Sequence, residues 1–217
     1  TTQLERGWMN TNALTVIDVT KKKRINTVLL DDVDLGAANP WDVECTPDGS
    51  HICVSHAGTH EISIIDRDRL HDRLKGAARG RKVTPFSDSA DDVPNDLSFM
   101  TGIRSRVKLR GKGPRGIAVT EEAVYAAEYF TGSLGTVSLG QDGSRLARSE
   151  SLGGGAEMDA ARRGEMLFHD ATICYQQWQS CASCHPGGRS DGLNWDLLND
   201  GMGNSKNTKS LLLSHRT

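Results

Sequence analysis

A repeated strand pattern constrains the fold of this chain more than any other sequence feature. Residues 12–18 (NALTVID) return as residues 60–66 (HEISIID), and each copy alternates large aliphatic and polar residues before a terminal acid. That alternation is typical of a β-strand that ends in a turn. A weaker third copy lies at 135–139 (GTVSL). The repeat therefore predicts a fold built from recurrent antiparallel units.

A second matched pair of segments precedes the later copies. NPWDV at 39–43 and GPRGI at 113–117 each open a strand, which is followed by a turn and a further strand, at 52–55 in one copy and 124–127 in the other. Four short strands in a unit of roughly 40 to 50 residues are typical of a β-propeller blade, which buries its faces against neighbouring blades. An ordinary antiparallel meander or sandwich is the alternative.

The second unit carries the most specific pattern. NPWDV, TPDG at 46–49, the strand at 52–55 and ISIID at 62–66 together resemble the YVTN-type β-propeller repeat of surface and periplasmic proteins. The second and third units are separated by an insertion from about Arg67 to Arg104, which starts with a short polar helix at 68–75.

About three blades fit before Ser151, whereas closed propellers typically have four to eight. We therefore expect either that the chain belongs to a larger polypeptide or assembly, or that other segments complete the ring. The first residue is Thr1 rather than an initiator methionine, which is consistent with a processed or truncated start.

The segment CASCH at 181–185 matches the attachment pattern of c-type haem. Two thiols at this spacing can add to the two vinyl groups of one porphyrin, and the adjoining histidine can bind the iron axially. A redox Cys-x-x-Cys pair should follow a strand in a βαβ context, and a zinc site needs a second ligand pair. The sequence offers neither, so we predict one covalent haem c on Cys181, Cys184 and His185.

The surroundings of this motif carry a second resemblance. RGEMLF at 163–168, a loop and SCASCH at 180–185, followed by a glycine-rich run at 200–204 and NTKSLL at 207–212, resemble the N-terminal haem domain of bacterial di-haem cytochrome c peroxidases and MauG-like proteins. The resemblance covers about 160–217. It implies an iron-containing oxidoreductase domain and a second haem beyond residue 217.

Three consecutive glycines at 153–155 predict the domain boundary, because they offer no side chain to pack and high backbone freedom. We expect blades over residues 1–152 and an incomplete cytochrome c domain over 153–217. The predicted fold class is mixed, with a partial all-β propeller of about three blades followed by a mostly α cytochrome c domain.

The sixth iron ligand decides what such a haem can do. Met202 is the first candidate, and a thioether there raises the reduction potential and closes the site, which favours electron transfer. His215 is a second candidate. A ligand outside this chain, or an open site that admits peroxide, is the remaining alternative.

Together these features predict a c-type cytochrome with electron-transfer or peroxidase-type activity, presented on a propeller. The alternative function is a propeller scaffold or binding module of a larger assembly, in which the haem only relays electrons. The expected partners are a redox protein or peroxide, and the expected location is the bacterial periplasm or exterior.

Charge and hydropathy exclude two other classes of partner. The formal net charge of −2 comes from interleaved acidic and basic residues, which indicates no nucleic-acid partner. The longest apolar runs fall far short of the roughly 20 residues that a membrane span requires.

Several other residues carry open alternatives. Cys45 and Cys53 flank a Pro-Asp-Gly turn, so they either form a disulfide or are two small core residues. Cys174 is expected to be a buried free thiol. His56 and His60 offer a minor metal-site hypothesis at a blade edge.

Two aromatic residues precede the haem motif, Tyr175 and Trp178. We expect both to pack near the porphyrin, where aromatic side chains supply large apolar area.

Overall fold

The strand repeats of the sequence form antiparallel sheets. The structure is a computed structural model that describes residues 10–140, 145–153, 157–196, 201 and 203–214. Within these residues, twelve strands form four antiparallel sheets, two of four strands and two of two strands. No helix in the described part of the chain is long and apolar enough to cross a membrane.

The sheets follow one another along the chain as simple meanders. The first pairs β1 with β2, the second has the order β3-β4-β5-β6, the third has the order β7-β8-β9-β10, and the last pairs β11 with β12. The strands are β1 Ala13–Asp18, β2 Lys23–Leu29, β3 Pro40–Cys45, β4 His51–His56, β5 Glu61–Asp66, β6 Arg104–Lys108, β7 Pro114–Val119, β8 Ala123–Glu128, β9 Ser133–Ser138, β10 Ala147–Ser151, β11 Asn194–Trp195 and β12 Lys206–Asn207. The repeat strands predicted near 12–18, 60–66 and 135–139 are confirmed as β1, β5 and β9.

The two four-stranded sheets pack against each other as propeller-like blades, with β7 beside β3 and β4. Their shared core includes Ile62 and Ile64 from β5, and Val124 and Val137 from the second sheet. The Ser55 hydroxyl of β4 also donates to the Arg115 carbonyl of β7 at 2.7 Å, which links the two sheets directly. Apolar burial and direct hydrogen bonds therefore both join the blades.

The other face of the β3–β6 sheet is covered by β2 and by the segment between β5 and β6. This segment begins with helix α1 (Arg67–Ala78), which confirms the predicted polar helix. Asp66 caps the helix by accepting from the Arg69 amide at 2.9 Å. Leu70 and Leu74, one turn apart, are buried in a core that also contains Val54, Ile65 and Phe99 from the sheet and the insertion.

The expected mixed fold with a mostly α cytochrome c domain is wrong. After β10, the described chain contains helix α2 (Ala160–His169), the single turn α3 (Cys181–Cys184), short 3₁₀ turns and the pair β11–β12. No residue of α2 or α3 is fully buried, so these helices enclose no core of their own. In the stretch predicted to form about three blades, the described strands form one two-stranded sheet followed by two four-stranded sheets.

Gly153 is the last described residue before a gap at 154–156, and the boundary predicted at this glycine run falls largely outside the described residues. The division into 1–152 and 153–217 stays a prediction.

Strand register decides between the alternatives for Cys45 and Cys53. Glu44 pairs with Cys53, and Cys45 pairs with Ile52, so the two thiols point to opposite faces of the sheet. Both cysteines are free thiols. Cys53 is a core residue whose burial raises its pKa to about 12, whereas Cys45 is exposed.

His56 is a fully buried member of β4. Its Nδ1 lies 2.9 Å from the Ala37 carbonyl and its Nε2 lies 2.8 Å from the Ser63 hydroxyl. Because a carbonyl only accepts, Nδ1–H donates to Ala37 and Nε2 accepts from Ser63, which describes a neutral ring. Desolvation by burial lowers the pKa of His56 to about 3, so this histidine is a core hydrogen-bonding group.

The buried face of β5 should dominate the stability of the blades. Ile62 is fully buried, whereas Ile17 is 58% exposed. We expect Ile62→Ala to lower the free energy of unfolding by about 2–5 kcal/mol, because it leaves a cavity between the sheets. The control Ile17→Ala should change it by less than about 0.5 kcal/mol. Urea titrations of both variants test this, and equal losses would contradict the blade packing.

The His56 ring should make stability depend on pH. Its pKa is depressed in the folded state, so as pH falls from about 6.5 toward 3 the unfolded chain binds a proton that the folded chain does not. The free energy of unfolding should therefore fall by up to about 1.4 kcal/mol per pH unit from this group. His56→Gln should be less stable at neutral pH but show a shallower slope over this range. Equal slopes in denaturant titrations would refute this role.

Candidate functional site

The attachment pattern found in the sequence forms one helical turn. Ser180 begins α3 with a capping box, in which the Ser183 hydroxyl accepts from the Ser180 amide at 3.0 Å. Cys181 and Cys184 are three residues apart on this turn, and residues at this spacing are neighbours on a helix surface. The His185 amide closes the turn by donating to the Cys181 carbonyl at 3.0 Å. The structure thus brings the three predicted site residues together.

The donor atoms of this turn have the chemistry that a covalent haem requires. Nδ1 of His185 lies 3.2 Å from the Arg189 carbonyl, and a donation there leaves Nε2 as a lone-pair donor. Cys181 and Cys184 are free thiols, the first exposed and the second partly exposed. Burial raises the pKa of Cys184. Two accessible thiols and an oriented imidazole on one turn fit haem c.

The segments on both sides of the turn pack against it and carry exposed apolar side chains. The chain after the turn folds back against it, because Asp191 donates its amide to the Cys184 carbonyl at 3.1 Å and Leu211 donates to Gly188 at 2.9 Å. On the other side α2 packs against α3. Large apolar side chains remain exposed in this region, at Leu167, Ile173, Tyr175, Leu193, Leu211, Leu212 and Leu213.

A buried carboxylate joins this region to the blades. Asp170, immediately after α2, is 3% exposed and lies 3.1 Å from the Lys112 ammonium. The Gly113 amide lies 3.1 Å from Nδ1 of His60, and Nε2 of the same ring lies 3.3 Å from the Asp170 carboxylate. Burial acts to raise the pKa of Asp170, but hydrogen bonds from Thr172 and Lys112 outweigh it and lower the pKa to about 2.

Trp178 is the apolar anchor of the same region. It is buried in a small cluster with Leu29 and Leu97. The Gly36 amide donates to the Gln176 carbonyl at 2.7 Å, and a Cβ at Gly36 would lie 2.3 Å from the Trp178 backbone. Only glycine allows this approach. The structure therefore places Trp178 against the blades, whereas Tyr175 is 84% exposed.

Helix α2 docks through arginine and aromatic contacts. The Arg115 guanidinium lies 3.5 Å from the ring centroid of Tyr129 and 4.6 Å from that of Trp41. Its Nη2 also lies 3.5 Å from the Glu165 carboxylate on α2. Arg162 of α2 donates to the Tyr129 carbonyl at 2.6 Å. The sequence does not predict these contacts, since GPRGI at 113–117 indicates a strand but not the partner of its arginine.

The remaining candidates have different outcomes. Met202 and His215 lie outside the described residues, so the sixth-ligand alternatives stay open. Cys174 is a partly exposed free thiol rather than a buried one. Both rings of the metal hypothesis, His56 and His60, are engaged in hydrogen bonds. In the described part of the chain, no three or more His, Cys, Asp or Glu side chains form a group that could hold a metal ion.

Comparison with known proteins places the chain beside subunits of one enzyme. It is 21% identical to hydrazine synthase subunit beta of Kuenenia stuttgartiensis over 142 residues, and 46% identical to subunit gamma of the same organism over 52 residues. These matches cover 64% and 24% of this chain. The chain spans only 35% of the beta subunit and 15% of the gamma subunit. No protein-family model matches it.

Solved structures give only partial likenesses. Kuenenia stuttgartiensis hydrazine synthase superposes with a TM-score of 0.49 and 23% identity, over 59% of this chain and 35% of that one. A streptogramin B lyase structure gives 0.39 and 15%, over 66% and 35%. Superpositions this partial establish no shared function.

These findings correct two expectations from the sequence. The assignment to a YVTN-type propeller fused to a di-haem peroxidase or MauG-like domain is wrong, because the relatives found are hydrazine synthase subunits. The main functional prediction, a c-type cytochrome with electron-transfer or peroxidase-type activity, is wrong for the same reason and because no helical cytochrome domain is present among the described residues. Short local motifs constrain the backbone around an attachment turn, but they do not fix the protein that surrounds it.

A larger assembly is the expectation that the relatives favour. Both are named as subunits of an enzyme. The alternative function, a propeller scaffold of a larger assembly, agrees with the propeller-like blades and these relatives better than a peroxidase function does.

The contacts of Asp170 generate a prediction about pH. We expect Asp170→Asn to destabilise the chain by about 1.5–3 kcal/mol at pH 7, because it removes charged hydrogen bonds at a buried site. The depressed pKa means that the stabilisation is present above about pH 4 and is lost as pH falls toward 2. The difference between wild type and variant should therefore shrink in acid.

A matched control is Asp68→Asn, which removes an exposed carboxylate paired with Arg67. It should change stability by less than about 0.5 kcal/mol at either pH. Urea titrations at pH 7 and pH 2.5 give both comparisons. A loss from Asp170→Asn that is equal at the two pH values would contradict the assigned charge interaction.

Proposed function

We propose that this chain is the scaffold part of a subunit in a multi-subunit redox assembly. In this proposal the propeller-like blades carry one haem c on Cys181, Cys184 and His185, and the haem relays electrons to a neighbouring redox protein. The observation that carries the proposal is the attachment turn itself, in which two free thiols and an oriented imidazole are held against the blades. Haem attachment outside the cytoplasm, in the periplasm or beyond, is part of the same proposal.

The relatives support the choice of assembly. Both are named as subunits of hydrazine synthase, and we propose an assembly of that type for this chain. Because the chain spans a minor part of each relative, the substrates and the other subunits of the complete protein belong to the proposal as well.

The residues of the turn have separate roles. Each thiol would form one thioether by adding across a vinyl group of the haem, so Cys181 and Cys184 would hold the cofactor covalently. His185 would bind the iron through Nε2, and the Arg189 carbonyl would hold its ring orientation. Haem, when bound, supplies reversible one-electron transfer at its iron.

The blades contribute rigidity rather than chemistry. The side chains of Asp170 and Trp178 are buried between the blades and the attachment turn, so the turn is held in a fixed position against the sheets. A relay needs a fixed distance between donor and acceptor groups, and a propeller-like scaffold supplies that fixed position. This is the difference between the present proposal and an independent cytochrome domain.

Haem attachment is tested with the full chain expressed in a bacterium that carries a c-type haem maturation system. We expect wild type to retain haem after denaturing electrophoresis and acid-acetone extraction. The Cys181→Ala/Cys184→Ala double variant should lose it entirely, because no thioether can form. Cys174→Ala is the matched control, since it removes a nearby thiol outside the attachment spacing, and it should retain haem.

Two outcomes would overturn this cofactor assignment. One is a wild-type chain without covalent haem in cells where a co-expressed reference cytochrome is fully loaded. The other is equal haem loss in Cys174→Ala and in the double variant.

A further inference from the structure

One blade residue contacts the attachment turn directly. Asn39 lies where the chain enters β3, and its φ of 57° is in the left-handed region that asparagine tolerates better than most residues. Its backbone is fixed on both sides, because its amide donates to Oδ1 of Asn12 at 3.1 Å and its carbonyl accepts from the Ala57 amide at 2.9 Å. The side chain is therefore presented from a rigid support.

The Asn39 amide group binds both ends of the capping box of α3. Its Nδ2 donates to the Ser180 hydroxyl at 2.8 Å, and its Oδ1 accepts from the Ser183 hydroxyl at 2.9 Å. Nδ2 also lies 3.3 Å from the His169 carbonyl at the end of α2. One side chain thus links the blade, α2 and the attachment turn.

The neighbouring loop leaves room for this contact. A Cβ at Gly58 would lie 3.0 Å from Nδ2 of Asn39 and 3.0 Å from the Ala38 carbonyl, closer than nearly all real contacts. The Gly58 carbonyl also accepts from the Ala171 amide at 2.9 Å. Gly58, in the turn between β4 and β5, therefore leaves space for the Asn39 side chain and also binds the chain just after α2.

The turn needs external support. An α-helix of four residues has too few internal hydrogen bonds to be stable alone. The reciprocal bonds of the capping box and the two bonds from Asn39 supply what the short helix lacks. Loss of the Asn39 amide would leave both serine hydroxyls without their blade partner.

We propose that Asn39 is the positioning residue of the attachment turn, which fixes the orientation of Cys181, Cys184 and His185 relative to the blades. The role toward haem rests on the proposed function, whereas the anchoring of the turn is a property of the chain without haem. Asn39 acts through Ser180 and Ser183, and its side chain contacts neither the two thiols nor the His185 ring.

The test uses Asn39→Gly, because glycine tolerates the left-handed backbone and removes the side chain that contacts the two serines. In the haem-free chain, the rate at which iodoacetamide labels the partly exposed thiol of Cys184 should rise roughly fivefold, which corresponds to about 1 kcal/mol, the typical contribution of a helix-capping hydrogen bond. Ser183→Ala, which removes the hydroxyl that donates to Asn39, should give a similar increase. Mass spectrometry of the labelled peptides separates the thiols, and unlabelled Cys53 shows that the blade core stays folded.

The double variant Asn39→Gly/Ser183→Ala distinguishes positioning from general destabilisation. If the two residues act through one hydrogen bond, the double variant should label no faster than about the faster single variant. Multiplied rates, or no change in any variant, would overturn the proposal. If Asn39→Gly also exposes Cys53, that variant has lost its blade core and the test rests on Ser183→Ala. An unchanged labelling rate of Cys184 in Ser183→Ala would then refute the role of the Asn39–Ser183 hydrogen bond.

Haem-loaded protein gives the second readout. Asn39→Gly should lower the fraction of chain with attached haem and shift the midpoint potential, because the turn that carries His185 loses its fixed position against the blades. A potential and haem content equal to wild type would refute the role toward haem. A wild-type chain without haem would refute the proposed function instead, while the labelling rates still decide whether Asn39 positions the turn.

Discussion

The seam between the blades and the attachment turn depends on one buried carboxylate. Asp31 is fully buried and accepts from the Asn12 amide at 2.7 Å, from Nδ2 of Asn12 at 2.8 Å and from the Ala37 amide at 2.7 Å. Burial raises the pKa of Asp31, so these donors are what allow the group to remain in the interior. Asn12, oriented in this way, donates to the Trp178 carbonyl and accepts from the Asn39 amide. Asp31 therefore orients Asn12, and Asn12 in turn holds the backbone of Trp178 and of Asn39, the two residues that attach the turn to the blades.

The polar contacts with the blades explain why the described chain after β10 needs no core of its own. Its helices bury no residue completely, and its apolar side chains remain largely exposed. A segment of this kind would be marginal as an independent domain. It is held instead by polar groups buried at the seam, chiefly Asp170 and the bonds of Asn39. Its position is thus set by the blades, which is the property that a scaffolded relay requires.

The sequence predicted the features that depend on local pattern. The strands β1, β5 and β9 follow from alternation and turn residues, the helix α1 was predicted as a short polar helix, and these elements are confirmed. The attachment turn was found from the spacing of its two cysteines and its histidine. In each case the signal lies within a few residues of the element it describes.

The features that the sequence did not predict depend on contacts between distant residues. Asp170 meets Lys112 and His60, and Asn39 meets Ser180, only after the chain has folded. Neither residue lies in a motif that names its partner. The family resemblance failed for a related reason, because it extended a short local pattern to a helical domain that the described residues do not form. Local spacing indicates which residues form the turn, and long-range contacts decide where the turn lies against the blades.

The attachment turn and the blades should unfold as one cooperative unit, because buried polar contacts join them. Native-state hydrogen exchange in increasing urea measures this most directly, by following the amides of Ala171, Cys174 and His185 together with those of Val54 and Ile64 in the blade core. Both sets of amides should open with the same free energy and the same dependence on urea. Exchange of Ala171, Cys174 and His185 at a much lower free energy, with almost no dependence on urea, would contradict it.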